Sequence, residues 1–104
     1  MDFLNKVELR GLVGQVRQNE IGTDTAVRFS LVTEHAYGRG AEIVIETTWH
    51  SCTAWASKTP VCLGLERGTK VHLIGRMRTQ KFLDAQGRER GTIEIIVSEL
   101  NLAD

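Results

Sequence analysis

Tyr37, Trp49, Trp55 and Phe82 are four of the six aromatic residues in a chain of 104, each within or at the end of a strand-like segment, with Lys and Arg placed between them. An aromatic face kept out of a core can stack on an unpaired nucleotide base, and a nearby Lys or Arg can neutralise its phosphate. Trp49, Ser51, Thr53 and Trp55 alternate with His50, Cys52 and Ala54, so a strand here puts both tryptophans on one face. Burying that face would turn Cys52 and Ala54 outward. The opposite choice buries small residues common in cores and exposes the rings, and paired exposed tryptophans mark a binding surface. Along an extended strand the two rings lie about 20 Å apart, room for several unpaired bases.

Charge is distributed unevenly around a formal net of zero. From Arg67 to Arg90 the chain carries Arg67, Lys70, Arg76, Arg78, Lys81, Arg88 and Arg90 against Asp84 and Glu89, an excess of five positive charges. Taken alone, that segment fits a solvated strand pair as well as a phosphate-binding surface. A composition with 41% hydrophobic and 25% charged residues excludes disordered and collagen-like classes. The length suits one core, so a single domain over residues 1–104 is expected. No apolar stretch approaches the roughly 20 residues of a membrane span, and Met1 to Lys6 lacks a secretory signature, which predicts a cytoplasmic protein without a membrane partner. Cys52 and Cys62 form no CxxC and are expected to be reduced and mostly buried. His50 and Cys52 share a strand face, but two ligands do not make a zinc site and no nucleophile–base constellation is visible. Neither metal, cofactor nor enzymatic activity is therefore expected.

The elements that must position these residues follow from a period of two. A first strand reads from about Phe3 to Val16, with Gly11 and Gly14 where a strand must coil to serve two sheets. A second reads from Ala26 to Thr33 with Val27, Phe29 and Leu31 inward, and a third from Glu42 to Ala56. Thr59-Pro60 starts a short helix that Gly68 ends. The fourth strand, Lys70 to Leu83, places Val71, Leu73, Gly75 and Met77 on one face. After a hairpin turn at Asp84-Ala85-Gln86-Gly87, Gly91 to Val97 returns as the fifth, with Ile93, Ile95 and Val97 alternating. Phe3 and Phe29 are read as core, and for Tyr37 or Phe82 taken singly a core role competes with exposure. The predicted fold is all-β, a five-stranded Greek-key barrel of the oligonucleotide-binding (OB) type with one short helix between strands 3 and 4.

Asn5-Lys6-Val7 with Gly11 and Gly14-Gln15, Thr48-Trp49-His50, Arg67-Gly68 leading to Gly75, and Arg78-Thr79, Lys81-Phe82, Asp84 and Gly87 together resemble the bacterial single-stranded DNA-binding protein family. The likeness runs from Asn5 to about Val97. It implies base stacking at Tyr37, Trp49, Trp55 and Phe82, and phosphate contacts at Lys6, Lys58, Arg76, Arg78 and Lys81. Lys58 lies one residue off a family lysine, and Ser51 replaces a basic residue. The resemblance further implies a homo-oligomer, tetramer rather than dimer, with Val7, Leu9 and His50 near a subunit contact, and a nucleoid-associated bacterial location. Family members usually continue into a tail with an acidic tip that recruits other proteins. This sequence ends at Asp104 without one, so tail-mediated recruitment is not expected.

The expected function is sequence-tolerant binding and protection of single-stranded DNA in replication, recombination or repair. RNA is an open alternative partner, because stacking accepts either sugar. The other alternative is a protein-interaction module of the same fold, resembling a primosomal protein, with weak nucleic-acid binding.

Overall fold

The alternating segments form five strands in the computed structural model, which describes residues 3–103. They are β1 (Val7–Ile21), β2 (Asp24–Arg39), β3 (Glu42–Trp55), β4 (Lys70–Leu83) and β5 (Glu89–Leu102). The sheet closes in the order β1-β2-β3-β5-β4, with β4 pairing back onto β1. This is the closed five-stranded barrel expected of an OB-fold. Every ladder is antiparallel except the short junction where Cys52 and Thr53 of β3 meet Ile95 and Ile96 of β5. Val13, Val27, Phe29, Leu31, Cys52, Ala54, Val71, Leu73, Ile95, Val97 and Leu100 fill the interior, and Cys62 and Leu65 join them from the β3–β4 connection. Both cysteines are free and buried, and burial pushes the Cys52 thiol up to about 12.

Two bulges set the side-chain phase. Between Val13↔Leu31 and Val16↔Phe29, β1 has two residues, Gly14 and Gln15, facing the single Ser30 of β2. The Ser30 hydroxyl accepts the Gln15 amide at 2.9 Å, so the extra residue leaves no orphan donor. The second bulge is at Ser98, between Ile74↔Glu99 and Gly75↔Val97, where the Ser98 hydroxyl donates to the Ile74 carbonyl at 3.0 Å. After each bulge the inward residues change parity, from Val13 to Val16 and from Val97 to Leu100.

Those phase changes explain several displaced boundaries. β5 continues to Leu102, beyond the expected end at Val97, because Leu100 re-enters the core after the bulge. β1 ends at Ile21, well past Val16. It also begins only at Val7, where pairing with Gly75 of β4 starts. Phe3 lies before that ladder and is 87% exposed, which corrects its assignment to the core. β2 runs on to Arg39 as half of a ribbon whose outer part, from Glu34 to Thr47, is almost wholly exposed; backbone pairing holds it without an apolar face to signal it. Met77 and Ile93 sit on the corresponding outer part of the β4–β5 hairpin, at 50% and 64% exposure, and are not inward as alternation predicts. The expected helix is a 3-10 turn over Pro60–Gly64, stopping well before Gly68. Leu65 is already extended at ψ 135°, and Thr59 makes no side-chain cap, its hydroxyl donating instead to the Trp55 carbonyl.

Candidate nucleic-acid interface

Cys52 and Ala54 face the core, so β3 directs Trp49, Ser51, Thr53 and Trp55 to the other face, where Thr53 is itself buried at 5% exposure. Trp49 is 61% exposed and lies over the β1 bulge. A cavity of about 350 Å³ is lined by Gly14, Gln15, Ser30, Trp49 and Arg67. An aromatic platform, a guanidinium and two uncharged polar side chains are thus gathered at one place, as a stacked base with its phosphate requires.

Trp55 shares that strand face but opens on different ground. It is half-buried and lines a cavity of about 560 Å³ together with Lys6, Lys58 and Arg76. Four residues singled out in the sequence therefore meet here, drawn from just before β1, the end of β3, the turn that follows it, and β4. Lys6 is held there by Asn5, whose amide nitrogen donates to the Met77 carbonyl at 2.7 Å and whose amide oxygen accepts the Met77 N–H at 2.9 Å. Lys58 follows a tight turn in which its own N–H and that of Thr59 donate to the Trp55 carbonyl. Asp24 fastens the same turn by accepting from the Ser57 hydroxyl and backbone N–H. The Ser57 hydroxyl, followed by backbone donors, holds the Asp24 carboxyl below its usual value.

Tyr37 and Phe82 occupy the two projecting hairpins. Tyr37 pairs with Val44 whereas Trp49 pairs with Val32, so pleating puts Tyr37 on the other side of the β2–β3 ribbon from Trp49. Its ring stacks on His35 with centroids 6.2 Å apart. Phe82 is 49% exposed and stands opposite Arg90 on the β4–β5 hairpin. Much of the local positive excess is neutralised: Arg78 pairs with Glu94, Lys81 with Glu89, and Arg90 with Asp84. Glu94 also accepts from the Thr53 hydroxyl at 2.9 Å, so Arg78 is tied into a bridge between the hairpin and β3. Asp84 accepts the N–H groups of Gln86 and Arg88, and the Arg88 amide and Arg90 side chain hold its carboxyl below the usual range.

His50 is half-buried, touches the Thr33 hydroxyl at 2.8 Å, and is shifted toward its neutral form by that burial. Val7 and Leu9 pack inward against the core, leaving Glu8, Arg10 and Leu12 as the side chains that the part of β1 before the bulge turns outward. Among the described residues no group of three or more His, Cys, Asp or Glu could hold a metal ion, and no helix is long and apolar enough to cross a membrane.

Residues 4–103 match the family described as the single-strand binding protein family. The chain belongs to that family. Among its curated relatives are the single-stranded DNA-binding proteins of Neisseria meningitidis serogroups A and B, each 30% identical over 104 residues covering 95% of this chain. The chain spans 59% of the length of those relatives. A solved structure described as a Plasmodium falciparum SSB complex with ssDNA matches with a TM-score of 0.87 and 28% identity, covering 100% of this chain and 98% of that one.

Within this member of the single-strand binding protein family, the structure brings to the aromatic surface further groups that were not among the expected contact residues. Arg67 is legible as one charge in a basic segment and, with Gly68, as part of the family-like pattern, without a contact assigned to it, yet it lines one cavity with Trp49. Gln15, Ser30, Ser51 and Thr53, with Arg17 and Arg28, line an adjoining cleft of about 360 Å³. No local signal marks Arg17 or Arg28, because they meet only through the pairing of β1 with β2.

Proposed function

We propose that this chain, one OB-fold domain of the single-strand binding protein family, binds single-stranded DNA with little regard to sequence, stacking bases on Trp49 and Trp55 and on the hairpin aromatics Tyr37 and Phe82. The observation that carries the reading is the pair of cavities opened by the outer face of β3, each with a tryptophan and at least one Lys or Arg. Each stacked base is worth about 1–3 kcal/mol, and every base offers a π-face. Lys6, Lys58, Arg67 and Arg76 supply the phosphate contacts and make binding salt-dependent; Arg78 and Lys81 contribute less because each already has an acidic partner. Duplex DNA hides its base faces, so preference for single strands needs no further device.

The reaction is binding, with no catalytic group, in a cytoplasmic setting of replication, recombination or repair. The chain assembles as a homo-oligomer, tetramer rather than dimer, with β1 around Val7 and Leu9 and the neighbourhood of His50 at the contact. Ile43, Ile45, Met77 and Ile93, all at least half exposed, supply apolar surface for such an assembly. Displacement of a fluorescent oligo(dT) tests the binding reading: unlabelled single strands of any composition compete, and a duplex does not. Equal competition by duplex, or competition by one sequence alone, overturns it. Sedimentation as a monomer at micromolar concentration overturns the assembly.

A further inference from the structure

Arg17 and Arg28 are directly opposite each other in the antiparallel β1–β2 ladder. Like charges in that position repel and destabilise a sheet. Among the described residues, neither has an acidic side chain within ion-pair distance. Nor does their placement follow from simple alternation: with Val13 inward, an unbroken β1 would turn Arg17 inward too. The Gly14–Gln15 bulge shifts the phase so that Val16 faces Phe29 in the core and Arg17 stands outside beside Arg28.

Both arginines line the cleft of about 360 Å³ between the outer face of β1, β2 and β3 and the β4–β5 hairpin. Its remaining walls combine uncharged donors and acceptors, Gln15, Ser30, Ser51, Gln80 and Thr92, with apolar surface that includes Ile93. The one acid, Glu94, is already committed to Arg78 and Thr53. Gln15 and Ser30 also line the cavity under Trp49, so the two spaces adjoin.

We propose that Arg17 and Arg28 form a phosphate clamp that carries the backbone of a single strand onward from the Trp49 platform through this cleft. The inference rests on the single-strand binding reading above and adds a path to it. An unpaired guanidinium pair at an open cleft of mixed polar and apolar walls is complementary to successive phosphates of a flexible strand, and binding one relieves the repulsion that the ladder otherwise carries.

The test is the salt dependence of oligo(dT) binding by the wild type and by the double variant Arg17→Gln, Arg28→Gln. With about 0.7 of a logarithmic slope unit per single-strand phosphate, the double variant loses about 1.4 units, and Arg17→Lys, Arg28→Lys restores most of them. Its melting temperature equals or exceeds that of the wild type, because repulsion is removed and no internal ion pair is lost. An unchanged slope with intact binding overturns the clamp and leaves the pair to another anion, such as an acidic protein segment. Absence of binding by the wild type is the separate result that overturns the underlying function.

Discussion

The ring of Trp49 occupies the space that a side chain on Gly14 would fill: a Cβ there would lie 2.7 Å from Cζ3 of Trp49 and 2.5 Å from Oγ of Ser30. The β1 bulge and the β3 platform are therefore one unit, and the absence of a side chain at position 14 sets where the ring rests. Gly14→Ala should displace Trp49 and reproduce most of the loss caused by Trp49→Ala, about 1–3 kcal/mol in single-strand affinity. Titrating both single variants and the double variant checks this. Losses that simply add would show that the two residues act separately.

Trp49 and Trp55 behave differently as a pair. Their cavities share no lining residue, so the losses from Trp49→Ala and Trp55→Ala should add within about 0.5 kcal/mol. The double variant should bind single strands at least about tenfold more weakly, as removal of two stacking platforms demands. Retention of full single-strand affinity would contradict stacking on these rings, whereas a protein-interaction module would bind single strands weakly from the outset and keep its protein partner in the double variant.

Arg76 and Arg78 lie on the same face of β4, yet substituting them should have different effects. Arg76 lines the Trp55 cavity, so Arg76→Ala should lower the salt slope by about 0.7. Arg78 is bound to Glu94, whose side chain is only 12% exposed. Arg78→Ala should lower the melting temperature and leave the salt slope near that of the wild type. Equal slope losses for the two variants would remove the distinction.

The β4–β5 turn should be sensitive to acid. The Asp84 carboxyl is held below its ordinary value by the Arg88 amide first and the Arg90 side chain second. A depressed carboxylate stabilises the folded turn fully above the unfolded value near pH 3.9, and that contribution is lost as pH falls through the depressed folded value. Amide exchange at Gln86 and Arg88 should therefore stay slow at pH 5 and rise only below about pH 4. Exchange that is already fast at pH 6 would contradict the role of Asp84.

Both thiols should resist modification. Cys52 is raised to about 12 and Cys62 is also raised, each mainly by burial. A thiol reagent at pH 8 should label neither in the folded protein and both in denaturant, since the thiolate is the nucleophile. Rapid labelling of native Cys52 would mean that β3 opens readily.

Period-two patterning reveals the barrel because its core strands bury one face each: Val27, Phe29 and Leu31, or Val71 and Leu73, are apolar at alternate positions for that reason. The same rule exposes Trp49 and Trp55, since Cys52 and Ala54 between them are the core residues. It fails where the physics changes. At Gly14–Gln15 and at Ser98 a bulge shifts the phase, and the alternation read from sequence stops short of the true strand ends. On the outer halves of the hairpins no face is buried, so strand from Glu34 to Arg39 leaves no apolar pattern. Lys6, Lys58 and Arg76 are legible as basic residues, but their meeting around Trp55 depends on barrel closure between β1 and β4. The ion pairs that engage Arg78 and Lys81, and the facing arginines 17 and 28, likewise depend on register.

Intrinsic tryptophan fluorescence during titration with poly(dT) at low salt bears most directly on the whole account. Stacking on Trp49 and Trp55 predicts saturable quenching that weakens as salt is raised and is absent with duplex DNA. No quenching by poly(dT) at low salt, with the protein folded, would contradict it.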